Sequence, residues 1–303
     1  MTPQEEIGEI IKKKEIYNFF KETIFDGYLD NSNGHTKEME LLLKKVFDYI
    51  EQRTSQGTDI SRVVRTLSDE IFKTNDPDFW FTRLYSTFKK EIKPVGIINS
   101  YKNFIKGNKI LNVGCGDGIY SKFFVEQGYD VSMTDVIDFR DASTYKIPFR
   151  QMKNTKVIPF DDKCVGTTII LSVLHHINAE DIETILKEAK RVSKKRVIVE
   201  EESFGIQENK NEFAAKIDSD KRLKEFIAKP IEEQIQYMKL LDYFSNVVIM
   251  RVPNMNFPFG YKTINEWRKL FSELGFLTVE TILIGFGRFH RTGRVAFILD
   301  VKE

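Results

Sequence analysis

With 303 residues, a net charge of +1 and 41% hydrophobic side chains, the chain can form one large domain or a core domain with an appendage. No apolar run reaches membrane-spanning length, and the opening MTPQEEIGEI is acidic and lacks a signal-like apolar core, so a cytoplasmic location is expected. The two cysteines, Cys115 and Cys164, supply neither a disulfide framework nor a metal-ligand cluster, and no metal is expected. Residues 1–106 carry 17 Lys+Arg against 17 Asp+Glu, and the whole chain 46 against 45, so neither part shows the basic excess of a nucleic-acid reader. A folded surface can still gather such a face.

The first 90 or so residues read as helices. Thr2-Pro3-Gln4-Glu5 combines an N-cap, a proline at the first helical position and a capping-box glutamate. An apolar face begins at Ile7, Ile10 and Ile11 and continues through Tyr17, Phe20 and Ile24. After a polar loop from Gly27 to His35, Met39, Leu42, Leu43, Val46 and Ile50 mark a second helix, and Ile60, Val63, Val64, Leu67 and Ile71 a third. Asp76-Pro77 opens a fourth with Phe79, Trp80, Phe81, Leu84, Tyr85 and Phe88.

From Lys109 strands alternate with helices, which predicts a mostly parallel sheet. Strands are expected at Lys109–Val113, about Asp130–Thr134, around Tyr145–Gln151, at Thr167–Leu171 and at Arg196–Glu200. A helix capped by Asn178, with Asp181 at the box position, follows the fourth. Residues 205–246 break the alternation: charged, helical in pattern and interrupted by Pro230, they read as an insertion over the sheet's edge. Thr263 and Glu266 form a second capping box, and Leu277–Ile284 with Arg294–Val301 read as a closing antiparallel hairpin.

The informative stretch is KILNVGCGDG, Lys109 to Gly118, a strand driven into a glycine-rich turn with an amphipathic helix behind it. Alternating glycines let the backbone turn tightly and let a ligand approach it. The spacing is G-x-G-x-G, and the third glycine of a dinucleotide-binding turn is replaced by Ile119, which disfavours NAD and FAD. No Lys-Ser/Thr pair follows, which excludes a P-loop. Asp135 ends the second strand, 21 residues after Gly114, where a carboxylate can accept both hydroxyls of a ribose lying across the turn.

On these residues the chain resembles the class I S-adenosylmethionine-dependent methyltransferases. VGCGDG resembles their first motif and Asp135 their acidic second one. VIPFDDKCVGTTIILSVLHHI resembles the fourth-strand region of the small-molecule type 11 methyltransferases, and LKEAKRVSKKRVIVEEES their following helix and strand. The matches run in order from about Lys109 to Ser203, with a weaker echo in EWRKLFSELGF and the hairpin. The family's usual Phe-Asp before the fourth strand is Val165-Gly166 here, and its adenine-contacting Asp falls on Asn154. The resemblance implies a doubly wound, mostly parallel seven-stranded sheet with an antiparallel last strand, a Rossmann-like α/β fold. It also implies cofactor contacts at Asn112, Gly114, Cys115, Gly116, Asp117, Gly118, Asp135, Val136, Asn154, Leu171 and Ser172, with backbone groups around Met152–Thr155 as a second route to adenine.

Methyl transfer from a sulfonium needs alignment and desolvation, and a base only where the nucleophile carries a proton of high pKa. His175 and His176 follow the fourth strand, at the mouth to which the methyl group should point in this family. His175 is the candidate base, and the alternative is a histidine that simply bonds the next loop. Among Glu200, Glu201 and Glu202 at the end of the fifth strand, Glu201 is taken as the catalytic partner. Tyr85, His176, Phe257 and Tyr261 are assigned to the acceptor side. His290 joins them because Arg288, Arg291 and Arg294 around it form a group suited to an anion. Cys115, inside the turn, reads as packing.

The expected organisation is a helical segment over residues 1–95 that roofs the acceptor side, and a cofactor domain over 96–303 with a helical insertion at 205–260. The expected activity is methyl transfer from S-adenosylmethionine, giving S-adenosylhomocysteine, to O or N of a small molecule, with no membrane span, no strong nucleic-acid signal and a homodimer permitted. An RNA or protein methyltransferase that docks through the N-terminal helices, and a non-catalytic cofactor-binding module, are the rival readings.

Overall fold

The computed structural model describes residues 1–286 and 291–301. Six helices lead the chain: α1 (Pro3–Ile11), α2 (Lys14–Asp30), α3 (Thr36–Ser55), α4 (Ile60–Thr66), α5 (Trp80–Thr87) and α6 (Lys93–Ile98). The α1 capping box forms as expected, with Thr2 Oγ1 accepting from the Glu5 amide and Glu5 Oε2 from the Thr2 amide. The apolar face from Ile7 to Ile24 is split between two helices, because Lys13 takes an extended conformation. The fourth predicted helix starts later than Asp76, which instead closes a turn by accepting from the Asp78 amide at 3.0 Å. One-turn π segments at Leu67–Ile71 and Phe88–Ile92 extend α4 and join α5 to α6.

The strands are β1 (Lys109–Val113), β2 (Asp130–Asp135), β3 (Phe149–Gln151), β4 (Val165–Leu171), β5 (Ser193–Phe204), β6 (Lys262–Thr263), β7 (Phe276–Leu283) and β8 (Arg294–Val301). β3 is much shorter than the run from Tyr145 suggested, since Ala142–Thr144 forms a 3-10 turn and pairing with β2 starts only at Phe149. The main sheet runs β3-β2-β1-β4-β5-β8-β7, and two-residue β6 adds to the end of β5. β8 is antiparallel to both neighbours, β5 and β7, while the pairs among β1 to β5 are parallel. The strand order reverses between β1 and β4, which opens a crevice at the carboxyl ends of these strands.

Period-two alternation gives the sheet two apolar faces. Ile110, Ile169, Ile198, Ala296 and Ile298 pack with Phe124 of α7 (Ile119–Glu126) and with Tyr101. Leu111, Ile170, Val197, Val199, Phe297 and Leu299 pack on the other side with α8 (Ala179–Val192), in a core that runs on without a break into the N-terminal helices. Asn178 makes no side-chain cap for α8, and Asp181 instead accepts from Thr155 Oγ1 at 2.8 Å. The departure at Val165-Gly166 has a packing cause. A Cβ at Gly166 would lie 2.3 Å from the Lys106 carbonyl oxygen, so no side chain fits there.

After β5 the insertion folds as α9 (Ala214–Ser219), α10 (Lys221–Ile227) and α11 (Ile231–Tyr243), with a π segment at Phe244–Ile249. It lies not over a sheet edge but against β5, an interior strand, and against α1 and α2. The chain then forms α12 (Ile264–Glu273), whose Thr263–Glu266 capping box is present, and closes with the expected β7–β8 hairpin. None of the described helices is long and apolar enough to cross a membrane.

Candidate active site

The glycine turn sits at the crevice. Gly114, Gly116 and Gly118 have φ of +68°, +55° and +79°, the left-handed region that glycine enters without steric cost. Gly116 also has nothing within 4 Å of where a Cβ would stand. It therefore faces open space, whereas a Cβ at Gly114 would meet Val173 at 2.5 Å. Asp135 ties β2 to the turn: its Oδ2 accepts from the Gly116 amide at 2.9 Å and its Oδ1 from the Ile137 amide at 3.2 Å. Each carboxylate oxygen keeps a further lone pair for a ligand hydroxyl. Burial raises the Asp135 pKa, partly offset by the backbone amides of Gly116, Ile137 and Val136.

β4 ends in a strained residue. Ser172 has φ +55°, donates its amide to the Glu200 carbonyl at 2.7 Å, and leaves its buried Oγ without a hydrogen-bond partner among the described residues. The chain then turns through His175 and His176. Glu201 pins this turn, since its Oε1 accepts from the Val173 and Leu174 amides at 2.9 and 2.6 Å and its Oε2 contacts His175 Nδ1 at 2.5 Å. His176 Nδ1 lies 3.0 Å from the Asn256 carbonyl oxygen. Both imidazoles turn Nε2 toward Asp242 Oδ1, at 3.7 Å from His175 and 3.5 Å from His176. Burial disfavours the His175 cation, but Glu201, Glu202 and Asp242 outweigh it and hold its pKa well above the ordinary value. His176 goes the other way, pushed down chiefly by burial.

A single cavity of about 450 Å³ joins the glycine turn to this histidine turn. Helices close it from above. Tyr85, Lys89 and Lys93 line it from the α5–α6 segment, and Met238, Asp242 and Asn246 from the insertion. Two ion pairs fasten that roof to the loops below, Lys89 to Asp117 at 2.5 Å and Lys90 to Asp141 at 2.7 Å.

Residues 111–199 match the model of a family described as a methyltransferase domain. They contain the glycine turn, Asp135 and the histidine turn. Residues 111–199 therefore carry a methyltransferase domain. No curated protein sequence matches the chain. Solved structures that resemble it include the magnesium protoporphyrin IX methyltransferase of Synechocystis, 14% identical over 80% of this chain and all of that one, with a TM-score of 0.44. Another is the 1,6-didemethyltoxoflavin N1-methyltransferase of Burkholderia thailandensis, 12% identical over 72% of this chain and 85% of that one, TM-score 0.44. A third is an S-adenosylmethionine-dependent methyltransferase of Mesorhizobium loti, 10% identical over 68% and 97%, TM-score 0.46.

S-adenosylmethionine, the donor that the family resemblance implies, suits the crevice on the protein's own features: open space at Gly116, free lone pairs on Asp135 and a buried Ser172 Oγ with no hydrogen-bond partner among the described residues. Of the residues expected to contact it, Asn112, Gly114, Cys115, Gly116, Asp117, Asp135, Val136, Leu171 and Ser172 line the cavity. Gly118 does not; it caps the start of α7, where a Cβ would meet Thr144 and Met133. Asn154 is exposed, its Oδ1 accepts from the Lys156 amide at 2.9 Å, and the cavity wall there is Met152 and Thr155. Cys115 is buried, and burial pushes its thiol pKa up, as suits a packed side chain.

On the acceptor side Tyr85, His175, His176 and Tyr261 line the cavity, and Tyr261 stacks on His175 at 5.1 Å. Phe257 lies behind, edge-on to His176 at 5.7 Å. Glu201 is fully buried beneath the turn, and Glu202 reaches the cavity wall instead. Arg288 and His290 lie outside the described residues. Arg294 is taken up by Glu200 and Glu202, and Arg291 pairs with Asp30 at 3.3 Å. The sequence reading missed Asp242 and Lys93. Both sit in charged helical stretches where no pattern separates a cavity-facing charge from a solvated one.

Proposed function

We propose that this methyltransferase acts on O or N of a small-molecule acceptor. The observation that supports the reading is the roofed cavity: Tyr85, Lys89 and Lys93 from the N-terminal helices and Met238, Asp242 and Asn246 from the insertion wall it, which suits an acceptor small enough to enter. When bound, S-adenosylmethionine supplies a methyl carbon already activated by a sulfonium, so the chain's task is to align an acceptor and keep water out.

In this reading Asp135 holds the ribose hydroxyls, the Gly114–Gly116 backbone admits the donor closely, and Met152 and Thr155 border the adenine. Tyr85 and Tyr261 flank the acceptor. His175, oriented by Glu201 and with its Nε2 toward Asp242, borders the acceptor end of the cavity, and Glu201 acts through His175 without touching the acceptor. An RNA acceptor is the weaker reading, because Lys89 and Lys90 at the rim are already paired with Asp117 and Asp141.

The experiment is to supply S-adenosylmethionine with a panel of small phenols, alcohols and amines, and separately with total RNA and a protein extract, and to follow S-adenosylhomocysteine. Product with small molecules alone is expected. Methyl incorporation into RNA or protein without small-molecule turnover would reverse the assignment.

A further inference from the structure

We propose that His175, His176 and Asp242 bind a divalent first-row transition ion at the acceptor end of the cavity. The atoms involved, one per residue, all lie within 4.8 Å of one another. None of the three is a cysteine, so a count of cysteines gives no hint of this group.

The hydrogen bonds behind the imidazoles fix which nitrogen is available. The Asn256 carbonyl can only accept, so His176 Nδ1 carries a proton toward it and Nε2 is left as a bare lone pair. Glu201 likewise faces His175 Nδ1, and an ion bound at His175 Nε2 would take the place of the proton that Glu201, Glu202 and Asp242 favour on that ring. A carboxylate or carbonyl behind each ring, with Nε2 facing a shared point, is the outer shell that metal-bound histidines use.

Both Nε2 atoms face one oxygen, Asp242 Oδ1, at 3.7 and 3.5 Å. These separations are too long for hydrogen bonds. They lie close to the edge of a tetrahedron with bonds of about 2.1 Å, which is roughly 3.4 Å. Asp242 is held from behind, since its Oδ1 accepts from Asn246 Nδ2 at 2.7 Å, and its buried Oδ2 has no hydrogen-bond partner among the described residues.

Charge points the same way. Three buried carboxylates, Glu200, Glu201 and Glu202, lie close to the partly buried Asp242, and Arg294 is shared between Glu200 and Glu202. A cation facing Asp242 and the two imidazoles would relieve that excess. Two imidazoles and one carboxylate suit Zn²⁺, Fe²⁺, Co²⁺ or Ni²⁺ better than Mg²⁺ or Ca²⁺. All three residues line the cavity, so a coordination position is left for the acceptor's oxygen or nitrogen, whose proton the ion would acidify. That role rests on the small-molecule reading above, whereas the binding of the ion does not.

The test is to strip the full-length protein with a chelator and titrate it with Co²⁺, reading visible ligand-field absorption and heat, with no donor or acceptor present. One ion per chain is expected, displaced by Zn²⁺, with affinity falling more than about 100-fold in Asp242→Asn and in His176→Ala. Stripped variants should keep their thermal unfolding and their S-adenosylmethionine binding, which separates loss of the site from loss of the fold. Absence of Co²⁺ binding in the stripped wild type would overturn the proposal, as would affinity in both variants equal to that of the wild type. A cavity that takes small alkylammonium ions but no metal would overturn it too. Because the titration needs no turnover, its failure and a failure of the methyltransferase assay are told apart.

Discussion

The Gly116 amide donates to Asp135 Oδ2 at 2.9 Å, so the glycine turn after β1 and the carboxylate ending β2 form one unit. The Asp135 oxygens still have lone pairs directed at the crevice, and two charge-assisted hydrogen bonds to a ribose would each contribute about 1.5–3 kcal/mol. Asp135→Ala should therefore weaken S-adenosylmethionine binding by about 100-fold or more in calorimetry. Unchanged affinity would remove Asp135 from the ribose.

Gly114 and Gly116 share a backbone conformation but not a neighbourhood. Alanine at Gly114 would place its Cβ 2.5 Å from Val173, and such overpacking costs about 1–3 kcal/mol beyond the strain of positive φ. Gly114→Ala should lower the melting temperature in calorimetry. Gly116→Ala meets no protein atom, so its stability loss should stop at about 1 kcal/mol while donor affinity drops about tenfold. Equal effects of the two substitutions on stability and binding would contradict this division.

Glu201 holds the histidine turn through two backbone amides and His175. Truncating it leaves buried donors unsatisfied, a loss of about 3–5 kcal/mol. Glu201→Ala should thus lower the melting temperature by about 10 °C. The exposed Glu183→Ala is the control and should leave it unchanged.

Lys93 supplies a pH-dependent term. Burial, then the facing Arg294 and Lys89, push its pKa from 10.5 down to about 8, against the opposing pull of Asp117 and Glu200. The unfolded chain therefore holds this proton to higher pH than the folded one, so folding stability gains from Lys93 deprotonation as pH rises from about 8 to 10.5. Below that window the buried charge is a constant penalty. Lys93→Met should be more stable than wild type at pH 7 in urea denaturation, with the difference closing toward pH 10.5. A Lys93→Met variant that is less stable at pH 7 would show that the ammonium is held by attraction.

The fold was legible where burial enforces a period. Ile110, Ile169 and Ile198 against Leu111, Ile170 and Val199 announce strands buried on both faces, and Thr2–Glu5 and Thr263–Glu266 announce helix starts. The donor end was legible because a glycine turn and an acid at a strand end are local signals. The acceptor end was not. Asp242 comes from a helix of the insertion and meets His175 and His176 only through tertiary packing. Which of Glu200, Glu201 and Glu202 reaches the cavity depends on strand twist at the end of β5, and no run of three identical residues encodes that. The α1–α2 break at Lys13 and the π segments leave the apolar spacing nearly intact, so periodicity passes over them.

The central claim is that one roofed cavity holds the donor at Asp135 and the acceptor at the histidine turn. A crystal structure with S-adenosylhomocysteine bound tests it most directly. The ribose hydroxyls should lie on the Asp135 carboxylate, with the sulfur facing Tyr261 and the His175–His176 turn. A ribose held elsewhere, or a sulfur opening onto a different face of the protein, would contradict it.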